Sequence, residues 1–212
     1  VDVDTDVQAE VRRLFAPEEG ARAIARERAA DTVRPPSPEV GALLQWVATT
    51  CQARAAVEIG GAGGVSGLWL LDGLGEGGVL TSIEADPHAH GLATSAYADA
   101  EVGTRVRAIL GQPEAVLPRL SDGVYDLMLL QAGPSGYADA LDHARRLLRP
   151  GGVLVARGVL RHGDHADSLA RFLDDLAADD LLAATVLPLD DGLALATRGR
   201  DPDPPAVSGA LS

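Results

Sequence analysis

The chain contains no lysine and no asparagine, a single cysteine, and only 3% aromatic residues. Each shortage excludes a class of chemistry. Without lysine there is no Walker-type phosphate loop and no Schiff-base catalysis. Without asparagine there is no acceptor for N-glycosylation. Cys51 has no second thiol to pair with, which fits a reducing cytoplasm. The net charge is −13 and every basic residue is an arginine, so little is left to hold a nucleic-acid backbone. The scarcity of aromatics removes base-stacking platforms as well. No apolar run approaches the ~20 residues of a membrane span, and the acidic first ten residues do not read as a secretion leader. The expected setting is cytoplasmic, and the expected partner is a small molecule, not nucleic acid or membrane.

What is present suits one α/β domain: 212 residues, 46% of them apolar. Residues 1–36 read as a helical N-terminal segment with a frayed start, since residues 1–6 alternate Val with Asp and Thr. Arg34-Pro35-Pro36-Ser37-Pro38 interrupts the helical pattern. Ser37 is placed to cap the next helix and Pro38 to open it, with Val40, Leu43, Leu44 and Val47 on its buried face. From Arg54 onward, short apolar runs alternate with amphipathic stretches. Residues 55–59, 79–85, 106–110, 125–130 and 153–159 read as buried strands with helices between them, which implies a parallel sheet. Residues 182–189 and 193–197, joined by a tight Asp190-Asp191-Gly192 turn, read as an antiparallel hairpin. The fold class is thus a Rossmann-like, doubly wound α/β sheet of about seven strands with helices on both faces. It occupies 37–199, and the proline-rich residues 200–212 read as a disordered tail.

The first strand runs into Glu58-Ile59-Gly60-Gly61-Ala62-Gly63-Gly64-Val65-Ser66-Gly67, where a helix begins. Glycines there let the backbone turn tightly and approach a ligand, with helix N–H groups facing the same crevice. Glu84 ends the second strand, where a carboxylate can accept both hydroxyls of a ribose. Two nucleoside cofactors compete for such a site. A dinucleotide fold asks for G-x-G-x-x-G and a second crossover unit. Glu58, Glu84 and the closing hairpin favour S-adenosylmethionine instead.

Further segments follow in order: Thr81-Ser82-Ile83-Glu84-Ala85-Asp86-Pro87, Leu117-Pro118-Arg119-Leu120, Tyr125-Asp126-Leu127, Ser135-Gly136-Tyr137 and Leu147-Leu148-Arg149-Pro150-Gly151-Gly152. With residues 57–70 and 187–194, their order and spacing resemble the catechol/caffeoyl-CoA O-methyltransferase-type family of class I S-adenosylmethionine-dependent enzymes. The resemblance spans about residues 37–198. It implies that Glu58, Gly60, Gly61, Gly64 and Ser66 line the methionine end of the cofactor. It likewise implies that Glu84 holds the ribose, that Gln112 and Pro113 border the adenine, and that Gln131 neighbours the cofactor. It also implies a homodimer.

The chain leaves the family pattern in two places. The family's first motif has Gly where Ala62 stands, and a Cβ in a positive-φ position costs about 1–2 kcal/mol. The second departure is larger. The family holds a divalent cation with an Asp after the fourth strand and an Asp-Asn pair after the fifth, and a nearby Lys serves as base. The matching positions are Gln131, Arg157-Gly158 and Pro134, so no divalent metal is expected. Arg157 is a candidate catalytic residue as a substitute positive charge. His162, just past the fifth strand, is the candidate general base. His162 with His165 reads as solvated loop more than as a metal site, and His88, His90 and His143 read as surface residues. Cys51, Met128 and Trp69 read as packing. The function expected is methyl transfer to a small-molecule hydroxyl without the metal. The alternatives are a catalytically inactive S-adenosylmethionine-binding protein and a nicotinamide-dependent reductase.

Overall fold

Successive residues of a strand face opposite sides of its sheet, and here that alternation divides the core in two. A computed structural model describes residues 5–131, 137, 139–161 and 166–200. Its strands are β1 (Ala55–Ile59), β2 (Val79–Glu84), β3 (Val106–Leu110), β4 (Tyr125–Leu130), β5 (Leu148–Arg157), β6 (Leu182–Leu187) and β7 (Leu193–Arg198). They form one sheet in the order β3-β2-β1-β4-β5-β7-β6, parallel from β3 to β5, with β7 antiparallel to both its neighbours. Ala56, Leu127, Leu129 and Val155 pack in one cluster with residues of α2 (Ala21–Ala29), α3 (Pro38–Thr50), α4 (Val65–Gly73) and α5 (Pro87–Asp99). Val57, Ile59, Met128, Leu130, Leu154 and Ala156 face the other way. They pack with α7 (Ala140–Leu147) and α8 (Ala166–Ala177). The other two α-helices among the described residues are α1 (Thr5–Phe15) and the single turn α6 (Pro113–Val116).

The expected helix at Pro38 forms for the expected reason: the Ser37 side chain accepts from the N–H of Val40 at 3.3 Å, and Pro38 opens the first turn. Trp69 is buried as expected, and its indole N–H donates to Glu18 while the Arg22 guanidinium lies 4.0 Å over its ring.

Helix α1 begins at Thr5, and none of its residues is buried. Three expectations need correction. β3 is an edge strand, so none of its residues is fully buried and Leu110 is half exposed. β5 starts at Leu148, directly after α7, and its pairing with β4 shifts register between Tyr125 and Leu127. It ends at Arg157 because Gly158 turns to φ +79°. The hairpin pairs Leu187 with Leu193, so its loop is residues 188–192 and longer than a tight Asp-Gly turn. Within that loop Asp190 takes φ +48° and Gly192 donates back to the Leu189 carbonyl at 2.9 Å. No helix among the described residues is long and apolar enough to cross a membrane.

Candidate functional site

β1 and β4 lie side by side, yet the chain leaves them in opposite directions along the sheet, toward β2 and toward β5. A crevice opens at the carboxyl ends of strands at such a reversal. Two backbone bonds fix its floor: Gly60 N–H donates to Ile83 at 2.9 Å and Gln131 N–H to Ile59 at 3.0 Å. Between β1 and α4 the backbone is left-handed at Gly60 (φ +82°), Ala62 (+46°), Gly63 (+66°) and Gly64 (+91°). Glycine is required at 64 twice over, since a Cβ there would also lie 2.7 Å from the Ala96 methyl. Ala62 adopts the same conformation with its Cβ in place.

A cavity of about 240 Å³ opens over this turn. Gly60, Ala62 and Glu84 line it from the β1 and β2 side, Gln131, Arg157 and Arg161 from the β4 and β5 side, and Val33 and Arg34 from the linker before α3. Glu84 is held firmly. One oxygen accepts from Gly61 N–H at 3.1 Å, and the other from Ala85 and Asp86 N–H at 2.9 and 3.2 Å. Beneath the turn Glu58 is wholly buried, with Ser82, Tyr97 and Ser66 hydroxyls donating to it at 2.7, 2.8 and 2.9 Å. Burial pushes its carboxyl above the usual range, and the three hydroxyls oppose that shift. The Gln131 amide donates to Ser66 Oγ at 2.6 Å and accepts from Arg157 Nη1 at 2.9 Å. One polar chain therefore runs from buried Glu58 to the cavity wall at Arg157.

Arg157 is 3% exposed. Its guanidinium donates to the Arg34 and Pro35 carbonyls at 3.3 Å each and faces Asp190 at 3.5 Å. Burial pulls its pKa down and Asp190 opposes that. Tyr137 donates to the Arg157 carbonyl and stacks edge-on against Phe172, 5.1 Å between centroids. Burial pushes the Tyr137 phenol up to about 12. Arg161 folds back over Gly158, where a Cβ would meet its Nε at 2.7 Å. These residues do not suit magnesium or calcium, which need anionic oxygens. Gln131 spends its one oxygen on Arg157, and a guanidinium fills the space a side chain at 158 would take. Among the described residues, no three His, Cys, Asp or Glu side chains converge on one point.

The structure thus brings Gly60, Glu84, Gln131 and Arg157 to one cavity, with Gly61 bonded to Glu84 at its edge. Glu58, Gly64 and Ser66 lie fully buried behind the turn and outside the lining. Gln112 and Pro113 open α6 past β3, tied to Glu84 by a Gly111 N–H bond of 2.9 Å, and also stand outside the lining. The candidate base His162, with His165, lies outside the described residues. His143 is half-buried instead of solvated, and burial lowers its pKa. Cys51 is half-buried and its thiol is pushed up by burial, which suits packing. Sequence reasoning missed Arg34, Arg161, Asp190 and Asp191. Arg34 and Arg161 both pair with Asp191, so the hairpin loop reaches the linker before α3. It also missed Ser82 and Tyr97 as partners of Glu58, although a serine inside an apolar strand was a signal.

Comparison with known proteins now bears on this geometry. Residues 21–199 match the family model described as O-methyltransferase. A relative from Mycobacteroides abscessus, itself assigned only provisionally as an O-methyltransferase, is 42% identical over 83% of this chain and 87% of its own length. The O-methyltransferase of Bacillus cereus in complex with SAH superposes with a TM-score of 0.82 at 25% identity, over 92% of this chain and 97% of that one. The O-methyltransferase TomG of Streptomyces achromogenes, involved in tomaymycin synthesis and solved with SAM, gives 0.83 at 27% identity, over 92% and 96%. With the sheet order, the glycine turn and the matched span in agreement, this chain belongs to the O-methyltransferase family of class I S-adenosylmethionine-dependent enzymes.

Proposed function

We propose that this protein transfers the methyl group of S-adenosylmethionine to an oxygen of a small-molecule acceptor, and does so without a divalent metal. The observation that carries the reading is Glu84, a carboxylate fixed by three backbone N–H groups at the rim of a glycine turn. Its position suits the two hydroxyls of a ribose. Gly60 presents a wall without a side chain, so a ligand approaches the backbone closely. When bound, the cofactor supplies a methyl group already activated on a sulfonium. The chain's share is orientation and electrostatics. Gln131 and Arg157 form the wall toward β5, and the Arg157 charge is where a developing or existing negative oxygen would be held. A binder without turnover is the competing reading, favoured by the absence of lysine; product formation separates the two.

The test is calorimetric titration with S-adenosylhomocysteine. Glu84→Ala should weaken binding by about 1.5–3 kcal/mol through lost charge-assisted hydrogen bonds. Unchanged affinity in a variant whose fold is verified by circular dichroism removes the main support for the site.

A further inference from the structure

We infer that the acceptor oxygen belongs to a carboxylate, so that the product is a methyl ester; this rests on the transferase reading above. The β5 side of the cavity is built for an anion. Arg157 and Arg161 line it, and Arg34 joins them from the linker. Asp190 and Asp191 answer two of these three charges. One positive charge is left over, in a chain whose net charge is −13. The Arg157 side chain is 4% exposed, and its Nε–H has no acceptor among the described residues. Its other N–H groups are spent on Gln131, Arg34, Pro35 and Asp190, so a planar two-oxygen acceptor would meet the guanidinium of Arg161, which lines the cavity and is 35% exposed.

Among its described residues the same wall has no free base, since Asp190 and Asp191 are bonded to arginines. Guanidinium groups cannot accept a proton, the Gln131 amide is neutral, and the chain has no lysine. Glu84 stands at the end of β2, three strand steps from β5, or ~14 Å along the sheet. Its oxygens are already engaged with three N–H groups. A phenol or alcohol, with a pKa near 10 or above, would reach this wall still protonated. A carboxylate arrives ionised at neutral pH. One of its oxygens bonds to the methyl carbon as the carbon–sulfur bond breaks, and the electron pair of that bond stays on sulfur. No proton moves, and the negative and positive charges cancel. Arginine holding the second oxygen fixes the line of approach.

The experiment uses the whole protein saturated with S-adenosylhomocysteine, with benzoate and hexanoate as probes. Calorimetry should detect binding of an acid, and Arg161→Ala, itself saturated with S-adenosylhomocysteine, should weaken it about tenfold or more. Arg161 is chosen because Arg157, buried and bonded to two carbonyls, supports the fold as well. With methyl-labelled S-adenosylmethionine and a panel of carboxylic acids and catechols, label should enter acids and be released as methanol by alkali. The rate should stay flat between about pH 6 and 9. Failure of the wild type to bind either acid overturns the inference, as does Arg161→Ala binding acid like the wild type. Alkali-stable label on catechols alone, or a rate that climbs with pH, overturns it too. Failure to bind S-adenosylhomocysteine is a different result: it overturns the transferase reading itself.

Discussion

Ala62 shows what one methyl group costs at a turn. Its φ of +46° is disfavoured for a residue with a Cβ by about 1–2 kcal/mol. Glycine would relieve that, less roughly 0.4–1 kcal/mol of extra unfolded-state freedom. Ala62→Gly should therefore stabilise the protein by up to about 1 kcal/mol and raise Tm by about 2–4 °C in a thermal melt. Glu58 makes the opposite kind of statement. Burial raises its pKa in the folded state, so above the unfolded value of 4.5 the folded protein holds this proton more tightly than the unfolded chain. Stability from this group is present below pH 4.5 and declines as pH rises through the folded value. In Glu58→Gln that decline disappears. Urea titrations at stepped pH should show the variant gaining on the wild type as pH rises from about 4.5. A constant difference across pH would show that Glu58 titrates alike in both states.

Among the elements, β4 depends on one carboxylate at its start. Asp126 accepts from the Arg54 and Ala55 N–H groups at 2.7 and 2.8 Å and from Arg149 at 2.5 Å, joining β4 to the beginnings of β1 and β5. Burial alone would raise its pKa, but the two N–H groups and the Arg149 guanidinium outweigh it and hold the carboxyl below the usual range. The stability it confers is present above the unfolded value of 3.8 and lost as pH falls through the lower folded value. Asp126→Ala should cost about 2–3 kcal/mol near pH 7 and flatten the acid limb of the stability profile below about pH 4, as read by denaturant titration. The strands themselves were legible because apolar runs such as Leu127-Met128-Leu129-Leu130 have no other stable place than between two layers. Where β5 begins was not legible, since Leu147 and Leu148 satisfy the helix period and the strand run alike. The edge character of β3 was hidden for a related reason: position in a sheet is decided by pairing, not by composition. Within the site, Gly60 and Glu84 could be read from their places after β1 and β2. Asp190 and Asp191 could not, because where a loop lands depends on the tertiary fold.

At the scale of the whole molecule, the site is walled by segments from opposite ends of the sequence. Arg34 pairs with Asp191 across 157 positions, and the Ser37 N–H donates to Asp190 at 3.1 Å across 153. Arg157 adds its bonds to the Arg34 and Pro35 carbonyls from below. Taken singly these contacts are weak. The Arg34 side chain is 72% exposed, and such pairs contribute at most about 1 kcal/mol. Acting together they form a clasp beside the cavity that is fastened largely by charge. Its consequence is kinetic. Raising salt from 0.15 to 1 M shortens the screening length from about 8 to about 3 Å and slackens the exposed part of the clasp. In stopped-flow displacement, bound S-adenosylhomocysteine should leave several-fold faster at 1 M NaCl than at 0.15 M, and Asp191→Asn should show much of that speed already at low salt. A rate indifferent to both would mean that the ligand comes and goes without unfastening it. How long this protein keeps a ligand is then set as much by the ions around it as by the contacts within.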